Sequence, residues 1–519
     1  MCLVAVLVLV MGVPAFAAKT GGTLVYGRGG DSKSLDPANV TDGESLKVTR
    51  QIFDGLVQFS AQDTSVKPAL ATSWETSKDG LIWTFHLRKG VKFHDGTPFN
   101  AEAVKFNFDR WRLKDNPYHK GGSFDYWESM FGGFPGVVKD VKVVDDATVQ
   151  FTLARPQAPF LANLAMQSFA IASPEAVKKH IDDLGNHPVG TGPFKFVRWD
   201  HGDKVTLEAN KEYWGGRPYL DRLIYRSIPD NSARLMELQA GNIDIMDGMN
   251  PDDVKLVKAD KNLQLVLRPS FNVGYLAMNF DKKPFDNLKV RLAIQKAINK
   301  QAIVDAFFAG LAKPAKNPMP TSLWGYNDTI KDYGYDPAGA KKLLAEAGFP
   351  NGFETTLWAM PVPRPYMPQP QKIAEAIQAD LAKIGVKAKI VSYDWATYLD
   401  KTMNGEHDMA LLGWTGDNGD PDNFLYVLLD KDSAVKPGAN NISFYRSDAL
   451  HDVLIKAQVS SDQKERIALY KKAQVIIHND APMVTLVHST PPIGLKKLVQ
   501  GYIPHPTESE SFLKVWLNK

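Results

Sequence analysis

FETTLWAMPVPRPYMPQPQKIAEAIQADLAKIGVKAKIVSY, residues 353 to 393, decides the fold. Its first residues, Phe353 to Met360, alternate apolar side chains as a strand does, and a proline-rich loop follows. Gln371 to Ile384 carry apolar residues at helical spacing, Gly385 ends the helix, and Val386, Ala388 and Ile390 alternate again. Strand, helix and strand in that order make a parallel unit. A further strand is predicted over Met409 to Trp414, after a helical connection. Open parallel sheets bind ligands at the carboxyl ends of their strands, so the loops after Met360 and after Trp414 are where a site is expected.

Upstream, Val290, Ala293, Ile294, Ala297 and Ile298 are spaced to put one apolar stripe on a helix. Asp336-Pro337 predicts an N-cap and a first-turn proline, with Leu343 and Leu344 facing the core and Gly348 as the stop. From about residue 270 the chain therefore reads as α/β. Thr23 to about Leu207 is richer in short alternating segments separated by Gly, Asp and Pro, with a helix over Ala101 to Trp111. Trp83, Phe85 and Leu87 alternate with Thr84, His86 and Arg88, Lys89-Gly90 reads as a hairpin turn, and Val91 and Phe93 resume. Val149, Phe151 and Leu153 form another such segment.

The 519 residues are 44% hydrophobic and 23% charged, the composition of a globular chain with a sizeable core. Lys plus Arg is 61 against 58 for Asp plus Glu, which gives no electrostatic reason to expect nucleic acid or a membrane surface as partner. The first seventeen residues, MCLVAVLVLVMGVPAFA, are apolar and end in Ala15-Phe16-Ala17, so residues 1–17 read as a signal peptide. Its apolar run is too short to cross a bilayer, and no later stretch is long enough. The only cysteine, Cys2, leaves with that leader, which removes disulfides, Cys-based zinc sites and Cys nucleophiles. An exported chain without a lipid-modified cysteine is expected in the periplasm.

GxSxG, GxxxxGK[ST], GxGxxG and HExxH are all absent, so acyl transfer, ATP hydrolysis, hydride transfer and zinc proteolysis lose their usual sequence support. His94-Asp95 reads as a hairpin tip. The run GDNGDPDNF, Gly416 to Phe424, misses the EF-hand template, because Gly419 and Asp422 fall at positions three and six when counting starts at Asp417. No metal and no cofactor are expected.

Two charges sit at the predicted strand ends. Arg364 lies between Pro363 and Pro365, which restrict the backbone that aims its guanidinium. Asp417 follows Trp414-Thr415-Gly416, with Gly416 and Gly419 admitting close approach. Spacing leaves two readings open. The pair binds each other or solvent, or it grips the ends of a zwitterion, carboxylate on Arg364 and ammonium on Asp417. A short peptide is such a zwitterion, its charged ends about 6 Å apart in an extended dipeptide, and fixed anchors would then measure its length.

PALATSWETSKDGLIWTFHLRKGVKFHDGTPFNAEAV (Pro68 to Val104), PVGTGPF (Pro188 to Phe194), EYWGGRPYLD (Glu212 to Asp221) and NVGYLAMNF (Asn272 to Phe280) together resemble the family 5 periplasmic solute-binding proteins of ABC importers. WGYND (Trp324 to Asp328), LWAMPVPRPY (Leu357 to Tyr366) and LLGWTGDNGDPDNF (Leu411 to Phe424) are similar to its dipeptide branch. The resemblance implies an α/β, two-lobed periplasmic-binding-protein fold (type II, cluster C) with mixed sheets, an extra β-rich subdomain and a hinge. By that pattern residues 18–269 plus 488–519 form lobe I and 270–487 lobe II. It implies that Arg364 holds a peptide carboxylate, Asp417 its α-amino group, and that Tyr366, Trp414, Thr415 and Gly416 wall the pocket, with Thr41 reaching in from the other lobe. It further implies a monomer, not an enzyme, that captures dipeptides and delivers them to an ABC permease in the inner membrane. Other ligands within the family, a longer peptide, a glutathione-like tripeptide, haem or a nickel chelate, are the alternatives, and a secreted hydrolase is a distant one.

Overall fold

The computed structural model describes residues 18–519, so the expected leader lies outside the described residues. Residues 353–393 fold into strand Glu354–Trp358, helix Pro370–Ala382 and strand Lys387–Val391, the strands parallel with Leu357 beside Ile390. Pro370 opens the helix, where a missing N–H costs nothing, and Ile373, Ala374, Ile377 and Leu381 are buried on its inner face. Strand Met409–Thr415 runs parallel along the other edge of Glu354–Trp358, Met409 beside Leu357. The two loops singled out by the pattern thus leave neighbouring strands on the same side of the sheet.

Antiparallel strands Asn272–Met278, Met483–Ser489 and Ala312–Pro314 extend this sheet to six. Helix Leu288–Ala297 buries Val290, Ala293, Ile294 and Ala297, and Ile298 is its buried C-cap. Helix Pro337–Glu346 starts where Asp336 Oδ1 accepts the Gly339 N–H at 2.9 Å.

A second, seven-stranded sheet has the order Leu263–Leu267, Pro492–Lys496, Ile245–Met246, Thr23–Arg28, Arg222–Ser227, Lys204–Ala209 and Phe194–Asp200. Its core joins residues 24–53 and 170–225 to 493–517, which brings the C-terminal tail onto the start of the chain. The chain passes between the two sheets at 268–271 and again at 490–491, and the passages touch where the Arg268 N–H donates to the Pro491 carbonyl at 2.9 Å. No helix among the described residues is long and apolar enough to cross a membrane.

A third, four-stranded sheet corrects one expectation. Strand Ile82–Leu87 is flanked by Ala71–Thr76 on one side and Thr148–Leu153 on the other, so no edge is left for residues 91–93, and Lys89-Gly90 does not turn a hairpin. Instead 91–99 folds on itself, with Phe93 N–H donating to Thr97 O at 2.9 Å and Phe99 N–H to Val91 O at 3.0 Å. His94-Asp95 lies at that tip, where Asp95 Oδ1 accepts the Thr97 N–H at 3.0 Å.

Candidate ligand-binding site

Arg364 stands on a closed turn. Its N–H donates to Met367 O at 3.0 Å, and the Met367 N–H donates back to Arg364 O at 2.9 Å. Pro365 takes the second position, which its fixed φ suits. Ser489 Oγ donates to Pro365 O at 2.7 Å, and Asn272 Oδ1 accepts the Ser489 N–H at 3.0 Å, so the turn is fastened to strands Asn272–Met278 and Met483–Ser489 near their shared end. Tyr366 lies beneath, 7% exposed, in a notch made by the cross-strand pair Gly274 and Gly413. A Cβ on Gly413 would come within 2.2 Å of the Tyr366 ring, and one on Gly274 within 2.7 Å of its carbonyl. Two hydrogens in place of side chains are therefore what seats the arginine turn.

The half-buried guanidinium of Arg364 lies over the Trp395 ring, 4.6 Å from its centroid. The guanidinium makes no salt bridge among the described residues. Burial pushes the Tyr366 hydroxyl up to about 12, against the pull of Arg364.

Asp417 is positioned by Asn423, which is buried. Asn423 Oδ1 accepts the Asp417 N–H at 2.9 Å and Trp414 Nε1–H at 3.0 Å, and its Nδ2 donates to Asp417 Oδ2 at 3.1 Å. The Gly416 N–H donates to Phe271 O at 2.9 Å, and a Cβ there would press on the rings of Phe271 and Phe424. The second carboxylate oxygen accepts the Tyr126 hydroxyl at 2.8 Å. Every donor to Asp417 is thus neutral. Burial pushes its pKa up to about 6, with Tyr126 and Asn423 holding it from rising further.

Arg364, Tyr366, Trp414, Thr415, Gly416 and Asp417 are brought together at the carboxyl ends of two adjacent strands, and Arg364 and Asp417 do not pair with each other. Thr41 is exposed, two residues ahead of helix Gly43–Ile52, and no hydrogen bond ties it to the group among the described residues. Tyr126 was not singled out by sequence reasoning. It stands 291 positions from its partner in a segment without a motif, so no local signal could find it.

The GDNGDPDNF run is anchored by buried side chains. Asp420 is buried and takes Arg466 at 2.8 Å and the Tyr470 hydroxyl at 3.1 Å, and Asp422, pushed up to about 7 by burial with Asp420 adding to it, accepts from Gln458. Elsewhere Asp430, Asp432 and His451 bring donor atoms within 4.8 Å of one another, and His451 Nδ1 already meets Asp430 Oδ1 at 3.0 Å. Cavities of about 230 and 630 Å³ open on the surface, beside Asp36 and Trp199 and beside Phe106 and Tyr118, and neither includes the Arg364 or Asp417 loop.

Comparison with known proteins adds the following. Residues 65–435 match the family described as "Bacterial extracellular solute-binding proteins, family 5 Middle". The chain is 43% identical over 507 residues to the dipeptide-binding protein of Escherichia coli (strain K12), covering 95% of this chain and 94% of that one. It is 42% identical over 512 residues to heme-binding protein A of Haemophilus influenzae, covering 96% and 93%. Among solved structures, an ABC transporter-associated periplasmic binding protein from Helicobacter pylori, in complex with the peptide STSA, superposes with a TM-score of 0.90 at 44% identity, covering 96% of this chain and 99% of that one.

Proposed function

The chain belongs to the bacterial extracellular solute-binding proteins of family 5 and has the type II periplasmic-binding-protein fold, and from that premise we propose that it captures dipeptides for an ABC importer. It works in the periplasm, as a monomer, and hands its ligand to the permease of that importer. Residues 18–269 with 488–519 form one lobe and 270–487 the other, and the passages at 268–271 and 490–491 are the hinge. The ligand lies between the lobes.

One observation carries this reading: a cation and an anion, neither in an ion pair among the described residues, stand on the loops that leave two adjacent parallel strands. A guanidinium stacked on Trp395 keeps its fork free for a carboxylate, bidentately. A buried aspartate whose donors are all neutral gains most from an ammonium. Side chains of the peptide need no direct partner, because water can fill out roomy pockets at little cost.

The test is mass spectrometry of whatever molecule co-purifies, followed by calorimetry with di-, tri- and tetrapeptides, glutathione, a nickel chelate and haem. Dipeptides are expected to bind tightest and to be recovered uncut. The Helicobacter pylori relative holds a tetrapeptide, so equal affinity across peptide lengths would remove the measuring role of the two anchors. Tight binding of haem without peptide would replace the reading with that of the Haemophilus influenzae relative.

A further inference from the structure

Two residues beyond Asp417, the same loop meets the N-terminal part of the chain with no room to spare. A Cβ on Gly419 would come within 2.2 Å of Thr64 Oγ1 and 2.7 Å of Thr64 Cβ. Contacts between non-bonded carbon atoms are best near about 3.5–4 Å, so a methyl there forces one side to move. Gly419 does not take the left-handed backbone that excludes other residues, so an alanine lacks only the space. Neither side yields easily. Thr64 stands in the loop between strands Val57–Phe59 and Val66–Pro68, where Ser60 N–H donates to Ser65 O at 2.8 Å and Asp63 Oδ1 accepts the Ser65 N–H at 2.9 Å. His505 Nε2 lies 3.0 Å from Asp63 O and ties that loop to the C-terminal tail. Across the contact, Gly419 O accepts the Trp324 indole N–H at 2.7 Å. Its neighbour Asn418 is buried, with Oδ1 accepting the Asp420 N–H at 3.0 Å and Nδ2 donating to Asn163 Oδ1 at 2.9 Å.

We infer that Gly419 is a positioning residue for capture: lacking a side chain, it lets the Asp417 loop seat against Thr64, and that seating keeps Asp417 covered over the ligand's amino end. The inference rests on the proposed capture of dipeptides between two lobes, in which Thr64 and His505 fall on one lobe and Gly419 on the other. A methyl in this contact burdens the covered arrangement and leaves the separated one alone. Its cost therefore falls on the bound state, and it shows as faster release with little change in association.

Calorimetry and stopped-flow binding of Ala-Ala to the full chain test this. Gly419→Ala is expected to bind about tenfold more weakly, a difference of about 1.4 kcal/mol, through faster dissociation and with an unchanged unliganded melting temperature. Thr64→Gly removes the side chain that the methyl meets, so the double variant Gly419→Ala/Thr64→Gly is expected to regain most of the lost affinity, and Thr64→Gly alone to stay within about threefold of wild type. Wild-type affinity in Gly419→Ala overturns the inference, as does a loss that Thr64→Gly does not reverse. A fall in the unliganded melting temperature of Gly419→Ala that the double variant restores overturns it too, because the contact then belongs to the resting fold and not to capture. In each of these cases dipeptide binding by wild type stands. If Ala-Ala and other dipeptides do not bind wild type at all, the peptide reading falls and this inference with it.

Discussion

Arg364 and Asp417 differ in how the protein prepares them. The guanidinium rests on an indole, whereas the carboxylate is held among neutral donors that leave its charge undercompensated. Removing either should leave the end of a captured dipeptide that it holds buried without its counter-charge, at a cost of roughly 3–5 kcal/mol, about a hundredfold to several thousandfold in affinity. Asp417→Asn and Arg364→Met are therefore both expected to abolish tight dipeptide binding in calorimetry, and an unchanged Kd in either would remove that residue from the site. Trp395→Ala takes away only the ring face and is expected to weaken binding by about 0.5–2 kcal/mol. These two charges were legible in the sequence because strand ends, prolines and glycines mark them locally. Tyr126 was not, since its meaning comes from a contact across the molecule that no spacing encodes.

At the scale of elements, the parallel unit over 353–391 was readable because its alternation and helical periods are long and its stops are explicit in Pro370 and Gly385. The Lys89-Gly90 hairpin failed for a reason of sheet order, as both edges of Ile82–Leu87 are taken by strands from elsewhere. Alternation says that a segment is a strand and is silent about its neighbours. The same silence hid the Gly274–Gly413 notch, where facing glycines admit Tyr366. Gly413→Ala forces a methyl against that ring, and overpacking of this kind costs roughly 1–3 kcal/mol. Urea unfolding is expected to show that loss, and calorimetry a weaker dipeptide, since the Arg364 turn sits on the displaced tyrosine. Wild-type values for both would mean that the turn is not seated by the notch.

For the whole molecule, the question is what holds the proposed lobes apart or together when no ligand is present. Among the described residues, the hydrogen bonds between the 416–424 loop and the N-terminal part have neutral donors: the Tyr126 hydroxyl to Asp417, and Asn418 Nδ2 to Asn163 Oδ1 at 2.9 Å and to Met166 Sδ at 3.5 Å. Such bonds are worth about 0.5–1.5 kcal/mol each. Against them stands Asp417, whose rise from 3.8 to about 6 means that keeping it ionised under cover costs at most about 3 kcal/mol. An ammonium beside Asp417 would remove that cost and so favour the covered arrangement. The sign with pH follows from linkage. The closed form has the raised pKa, so between about pH 4 and 6 it binds more protons than an open form with an ordinary aspartate, and the closed population grows as pH falls. Lowering the pH from 7 to 5 is expected to shift the unliganded balance toward closure about tenfold, seen as a smaller radius of gyration in solution scattering. Asp417→Asn carries no charge to bury, so the unliganded variant is expected to be the more compact protein at pH 7 and to show little change down to pH 5, even though it has lost its ligand. A variant as open as wild type at pH 7, or one that keeps the full pH response, would place the obstacle to closure somewhere other than this carboxylate.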